Sequence, residues 1–191
     1  MGASLWNKFH AAQDDPVLDE GIYPFTVSRI IDLDNNSIML GFHVEDTNIA
    51  QRIYFDSDQC IKAKNLLASV GLLKNIRDPW MTSELANTVG KNGRCIVGKY
   101  DRNGKEYNYI PVFLAPWCDE QEQLWRHLVL SRANNICEAC GKPGYYAHHK
   151  RPKSVYPNEM YDVNNGQCLC KECHDKWHDT YGVMAEGGPG L

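Results

Sequence analysis

The stretch Cys137-Glu138-Ala139-Cys140, then His148-His149, then Asn165-Gly166-Gln167-Cys168-Leu169-Cys170-Lys171-Glu172-Cys173-His174, and finally His178, decides how the chain is read. It holds five of the eight cysteines, four of them in the two Cys-x-x-Cys pairs, and four of the seven histidines. Two Cys-x-x-Cys pairs have the spacing of a structural zinc site. Thiolates at i and i+3 reach one tetrahedral ion, and four of them close its shell. Cys137, Cys140, Cys170 and Cys173 are therefore expected to hold one structural Zn²⁺. The segment between the pairs is longer than a zinc ribbon requires, and it carries His148 and His149. His174 and His178 stand at i and i+4, so on a helix they share one face and can ligate one ion. His148 and His149 are neighbours, so a strand or turn points them to opposite sides.

The order Cys-x-x-Cys, His-His, Asn, Cys-x-x-Cys-His resembles the HNH endonucleases. Pro152 three residues after His149, Asn165 five residues before Cys170, and the pair Leu169-Cys170 belong to the same pattern. The resemblance runs from Trp125 to about Tyr181. It implies a ββα fold around one catalytic divalent metal, with DNA as substrate. By resemblance His149 is the general base, and His148, His174 and His178 hold the catalytic metal. Asn165 orients the loop by bonding to backbone near His149; a neutral amide cannot itself be the base. The structural zinc would fasten the catalytic helix against the hairpin that bears the His pair. Two positions depart from the family pattern: Lys150 replaces an aliphatic residue, and Gly166 replaces the Leu common after the Asn. An all-His ligand set suits Zn²⁺, Ni²⁺, Mn²⁺ or Co²⁺ at least as well as Mg²⁺.

Composition sets outer bounds. The chain has 191 residues, 43% of them hydrophobic, enough for one ordinary domain or two small ones. No segment reads as a membrane span or a signal peptide, and Met1-Gly2-Ala3-Ser4-Leu5-Trp6 lacks the Ser or Thr that myristoylation needs. A cytoplasmic setting with reduced thiols is expected, which favours metal binding over disulfides. Cys60, Cys95, Cys118 and Cys168 have no metal-site spacing and are read as free thiols. The net charge of −4 is unusual for a nucleic-acid binder. Lys150, Arg151 and Lys153 beside the His pair are the local candidates for phosphate contact. His10, His43 and His127 are read as ordinary surface histidines. Tyr145, Tyr146 and Trp177 are read as packing residues.

Upstream the pattern changes to strands. Trp6 and Phe9 could pack on this β-rich segment. Strand alternation runs over Ile22–Ile31, then through Ile38, Leu40, Phe42 and Val44, with Asp34-Asn35-Asn36 as the turn between them. Arg52–Asp56 reads as a short third strand. Ser57, next to Asp58, reads as a helix cap, and Gly71 as the residue that ends that helix. Ser83–Val89 reads as a second short helix. Arg94–Tyr100 and Lys105–Leu114 are further strands joined at Asn103-Gly104, with Pro111 placing the last at an edge or lying near its end.

Three strands, a helix and two strands are the order of an OB-fold barrel. Glu20-Gly21-x-Tyr23 and Gly104-Lys105-x-Tyr107-Asn108-x-Ile110 also resemble an uncharacterised phage-encoded family related to single-strand-binding proteins. Tyr54, Tyr100, Tyr107 and Tyr109 could stack bases or simply fill a β-core. Ala115-Pro116-Trp117 is the domain boundary expected here, and Asp119 starts a helix through about Arg132. The expected organisation is α+β: an OB-like β-barrel over 1–116, a zinc-stapled HNH domain over 117–181, and a flexible tail over 182–191. The reading is a DNA-cutting, metal-dependent endonuclease. The alternatives are a single-stranded-DNA-binding accessory protein whose HNH unit is a zinc scaffold, and a protein-interaction module.

Overall fold

A computed structural model of the chain describes residues 15–33, 36–55, 60–75, 77–79 and 81–181. Trp6, Phe9, His10, Asp34, Asn35, Ser57, Asp58 and the tail 182–191, each interpreted from the sequence, lie outside the described residues. The chain divides into two compact units, Met1–Glu120 and Gln121–Leu191. No helix among the described residues is long and apolar enough to cross a membrane.

The first unit is built from β1 (Gly21–Leu33), β2 (Ser37–Val44), β3 (Thr47–Tyr54), α1 (Cys60–Ser69), a 3₁₀ turn (Thr82–Thr88), β4 (Asn92–Arg102) and β5 (Lys105–Phe113). The five strands form one sheet in the order β3-β2-β1-β4-β5, and each neighbouring pair is antiparallel. Alternate side chains of one face form the main core, and Met39, Ala50 and Ile96 between them are buried as well. Phe25, Phe42 and Phe113, from three different strands, bring their rings to 5.2–5.5 Å at the centre. Ala63, Leu66 and Leu67 of α1 belong to the same core. Cys95 is a free thiol in that core, and burial pushes it up to about 12.

Turn chemistry sets the element ends. Asn103 (φ 59°) and Gly104 (φ 78°) both take positive φ, as a two-residue hairpin turn of this hand requires. Gly71 (φ 78°) ends α1, and Leu72 N–H donates back to Leu67 O at 2.8 Å. β3 starts at Thr47 rather than Arg52, because Glu45 (φ 48°) lets the chain reverse at once and pair Val44 with Thr47. The short helix expected at Ser83–Val89 is present as a 3₁₀ helix over Thr82–Thr88.

Of the OB-like barrel expected for this half, the described residues form a five-stranded antiparallel sheet that is not closed. Among the described residues no backbone ladder joins the edge strands β3 and β5. Side chains occupy the backbone of β5 instead. Ile110 N–H donates to Gln51 Oε1 at 3.2 Å, and Lys62 Nζ donates to Ile110 O at 2.6 Å. These bonds satisfy groups that a paired β3 strand would otherwise use.

The second unit contains nearly all of α2 (Glu120–Arg132), then β6 (Tyr146–His149), 3₁₀ turns at Pro157–Glu159 and Val163–Asn165, β7 (Gly166–Leu169) and α3 (Lys171–Tyr181). β6 and β7 form an antiparallel ribbon pairing Tyr146 with Leu169 and His149 with Gly166. Gly166 has an ordinary φ of −87°, so its backbone does not demand glycine. Space does. A Cβ there would lie 2.1 Å from Val129 Cγ2 and 3.1 Å from Val163 O. The departure from the family pattern at this position is thus where α2 packs down on the ribbon. Gly166→Ala should destabilise this unit by about 1–3 kcal/mol through overpacking. In denaturant melts, the loss in the Gly166→Ala/Val129→Ala double variant should be less than the sum of the single losses. An unchanged midpoint for Gly166→Ala would refute the packing.

Candidate functional site

The four cysteines of the paired motifs converge. Cys137 N–H donates to Lys142 O at 2.7 Å, and Gly141 (φ 75°) N–H donates back to Cys137 O at 2.8 Å. That tight turn presents Cys137 and Cys140 together. Cys170 and Cys173 come from the start of α3, where Cys173 N–H points at Cys170 Sγ, 3.5 Å away. All four sulfurs lie within 4.8 Å of one another, and Cys140 Sγ is 3.7 Å from Cys170 Sγ. Two thiolates on one tetrahedral zinc sit about 3.8 Å apart, given Zn–S bonds of ~2.3 Å. The donor set therefore fits Zn²⁺. Burial alone would push the Cys137 thiol up. Backbone N–H groups of Cys170, Ala139 and Cys140 outweigh it and hold that thiol at about 6. Cys173 is pushed the other way, to about 12, by the sulfurs of Cys140 and Cys170. Thiols so crowded lose all their protons together only against a cation.

A second donor set lies on one face of β6. His148, His174 and His178 each offer a ring nitrogen, and these atoms lie within 4.8 Å of one another. His174 Nε2 and His178 Nε2 are 3.3 Å apart. Two imidazoles on one tetrahedral ion would be about 3.4 Å apart, from metal–nitrogen bonds of ~2.0–2.1 Å. His148 Nε2 is buried and has no hydrogen-bond partner, which is costly for a ring nitrogen unless something else binds it. Burial, with His174, His178 and His149 nearby, pushes the His148 imidazole down to about 4. Burial and then His178 also lower His174. These two rings are therefore held in the neutral form that a metal needs. Tyr146 stacks on His174 at 4.7 Å, and Trp177 meets His148 at 4.2 Å. Both residues thus wall the imidazoles, whereas Tyr145 is exposed.

His149 lies on the other face of β6, against α2. Its ring stacks on Trp125 at 3.9 Å with only 9° between the planes. Its Nε2 is 2.8 Å from Met160 O, so Nε2 carries the proton and donates. Nδ1 keeps the lone pair. Trp125 is itself anchored, its Nε1–H donating to Asp162 O at 2.9 Å.

Asn165 is buried at the head of β7. Its Oδ1 accepts from Arg151 N–H at 2.8 Å, and its Nδ2 donates to Arg151 O and Glu159 O. Lys150 N–H donates to Asn165 O at 2.8 Å. The amide thus ties down the turn that leaves His149. Arg132, at the end of α2, grips both sides of Asn165 by donating to Val163 O at 2.6 Å and Gly166 O at 3.0 Å. The same guanidinium meets Glu138, whose Oε2 accepts from Cys168 N–H at 2.6 Å. Trp125, Arg132, Glu138 and the Met160 carbonyl were not picked out as site residues from the sequence. Trp125 and Arg132 lie on the expected helix, but the carbonyls they bind, those of Asp162, Val163 and Gly166, are more than thirty positions away in the chain.

The three basic candidates are exposed, and each is engaged. Lys150 Nζ donates to Asn164 O, Arg151 pairs with Glu159 at 3.0 Å and lies over Tyr156, and Lys153 pairs with Glu122 at 3.5 Å. Among the other histidines, His43 is exposed as expected, but His127 is buried on α2 rather than at the surface.

A ββα unit with two separate convergent donor sets, one of thiols and one of imidazoles, is a metal-binding module. Residues 137–180 match the family model described as HNH endonuclease, so this unit carries an HNH domain. Among curated proteins none matches the chain. Cys137→Ala should abolish tight zinc binding and unfold the second unit, since structural zinc can supply about 10–16 kcal/mol of binding free energy. Elemental analysis of the purified protein and its melting curve check this. Zinc-free parent protein with a folded second unit would overturn it.

Proposed function

We propose that the chain is a metal-dependent HNH endonuclease that hydrolyses DNA phosphodiester bonds. The observation that carries this reading is the division of labour across β6 in the matched HNH segment. Three imidazoles gather on one face, and a fourth, with a free Nδ1, is fixed on the other. Cys137, Cys140, Cys170 and Cys173 would hold a structural zinc, and His148, His174 and His178 a catalytic divalent ion. That ion, when bound, supplies charge neutralisation at the phosphate. His149 Nδ1 accepts a proton from water as the water oxygen attacks phosphorus, and the opposite ester P–O bond breaks, its electron pair leaving on the alkoxide oxygen, which takes a proton from solvent water. Met160 O fixes the tautomer by accepting from Nε2, and Trp125 keeps the ring from turning. Asn165 keeps the adjoining turn, and so the backbone of His149, in place. Lys150, Arg151 and Lys153 contact flanking phosphates by exchanging their present partners, which makes affinity modest and salt-sensitive.

We read the first unit as OB-like. Its pairings β1–β2, β2–β3, β1–β4 and β4–β5, with α1 between β3 and β4, fit a partly open five-stranded barrel.

The protein should cut plasmid DNA with Mn²⁺, Ni²⁺ or Mg²⁺ and stop when chelator is added. A protein that shifts DNA in a gel but leaves it intact would favour the binding-only alternative. His149→Ala should lose about 10²–10⁴-fold in cleavage rate, the usual contribution of a general base, with metal affinity by calorimetry preserved. His174→Ala should instead weaken metal affinity, and activity should return in part at high metal concentration. Full activity in His149→Ala would remove His149 as the base.

A further inference from the structure

The face of the β4–β5 hairpin turned away from the hydrophobic core carries a row of aromatic rings. On β5, Asn108 and Ile110 are buried, while Tyr107 and Tyr109 between and beside them are only half-buried. The register pairs Arg102 with Lys105, Tyr100 with Tyr107, and Gly98 with Tyr109. Directly opposed residues share a face, and so do residues two apart on one strand. One face therefore reads, from tip to base, as two cations, two tyrosines, and a glycine opposite a third tyrosine. Tyr100 and Tyr107 stack at 5.5 Å with 24° between their planes, and Tyr109 meets Tyr100 edge-on at 5.9 Å. None of the three is in the core cluster. Filling the core, one of the two readings of these tyrosines, does not account for them.

We propose that this face binds single-stranded DNA. Lys105 Nζ lies 5.6 Å from the centroid of Tyr107, over its ring. A nucleobase stacks in that position, and the displaced ammonium turns to a flanking phosphate. Arg102, exposed and directly opposite Lys105, neutralises another. A single strand fits where a duplex does not, because duplex bases already cover one another's faces. The carboxylates of the hairpin do not oppose this. Asp101 and Glu106 pair with each other on the opposite face. Glu20 does reach Tyr109, whose hydroxyl is raised by burial and then by that carboxylate. The phosphates therefore track the tip of the hairpin, and only bases approach Tyr109.

This binding does not rest on the nuclease reading and is tested apart from it. The full-length His149→Ala protein, without added metal, is titrated into a fluorescein-labelled thymidine oligonucleotide at low salt, with a duplex of equal length as control. Stacking is worth enough per base that Tyr107→Leu should weaken oligonucleotide binding about five- to a hundredfold, while Tyr107→Phe stays within about twofold. Lys105→Glu should weaken binding and flatten its salt dependence. Each variant is checked by thermal melting, since these positions lie outside the core. Unchanged affinity in Tyr107→Leu, absence of oligonucleotide binding by the parent, or equal losses on duplex and single strand would each overturn the proposal. If the parent cuts no DNA and Tyr107→Leu still loses the oligonucleotide, the nuclease reading fails and this one stands.

Discussion

Cys137 and Cys140 come from a tight turn, Cys170 and Cys173 from the start of a helix, and their four sulfurs lie within 4.8 Å of one another. The apolar cluster around them is small among the described residues. The buried core cluster of the HNH unit consists of Cys137, Leu169 and Cys170, with Tyr146 and Cys173 packed against it. A core this small does not offset the entropy of ordering the chain, and small units of this kind depend on a metal or a disulfide. The thiol cluster also sets the rotation of α3. Cys170 and Cys173 fix its first turn, and His174 comes directly after, so the imidazoles are aimed by the same contact that holds the fold.

The second constraint is the register of β6 on β7. Consecutive residues on a strand face opposite ways, so His148 and His149 serve different neighbours only while Tyr146 pairs with Leu169 and His149 with Gly166. A slip of one residue would exchange their faces. It would put His149 among the ligands and His148 against Trp125. Several contacts resist that slip. Val129 closes over Gly166, Arg132 holds the carbonyls of Val163 and Gly166, and Asn165 bonds both the N–H and the C=O of Arg151. Each is polar or steric rather than bulk-hydrophobic, as a unit with so small a core requires.

Much of this was legible in the sequence, for reasons that can be named. Ligand chemistry depends on residue type and spacing, so the Cys-x-x-Cys pairs and the i, i+4 histidines could be read directly, and the family match falls on those same residues. Turn chemistry was legible where it is local, at Gly71 and Asn103-Gly104. It failed at Glu45, because a positive φ at a glutamate has no sequence mark. Barrel closure was illegible for a different reason. Whether β3 meets β5 depends on how Gln51 and Lys62 reach Ile110 across the sheet, which no periodicity encodes. Gly166 was visible as an oddity, but its cause is a valine from another element. The stack of Trp125 on His149 joins residues that only the tertiary fold brings together.

Charge completes the physical picture of the HNH unit. Its Lys/Arg and Asp/Glu nearly balance, and Arg151 and Lys153 are already paired with carboxylates. A phosphate therefore meets little free positive charge from side chains. The two donor sets differ sharply in this respect. Four thiolates more than cancel a divalent ion, leaving a centre of net charge about −2. The ammonium of Lys142 responds to that side of the unit: it is raised first by Glu172 and further by Cys140 and Cys170. Three neutral imidazoles cancel none of an ion's charge, whereas a carboxylate in the set would cancel part of it. On the proposed reading, the His148 face becomes the one strongly positive point on the unit only when its ion is bound. Attraction of the DNA backbone and readiness for chemistry then arise from the same event, and the overall acidity of the chain is no obstacle to either.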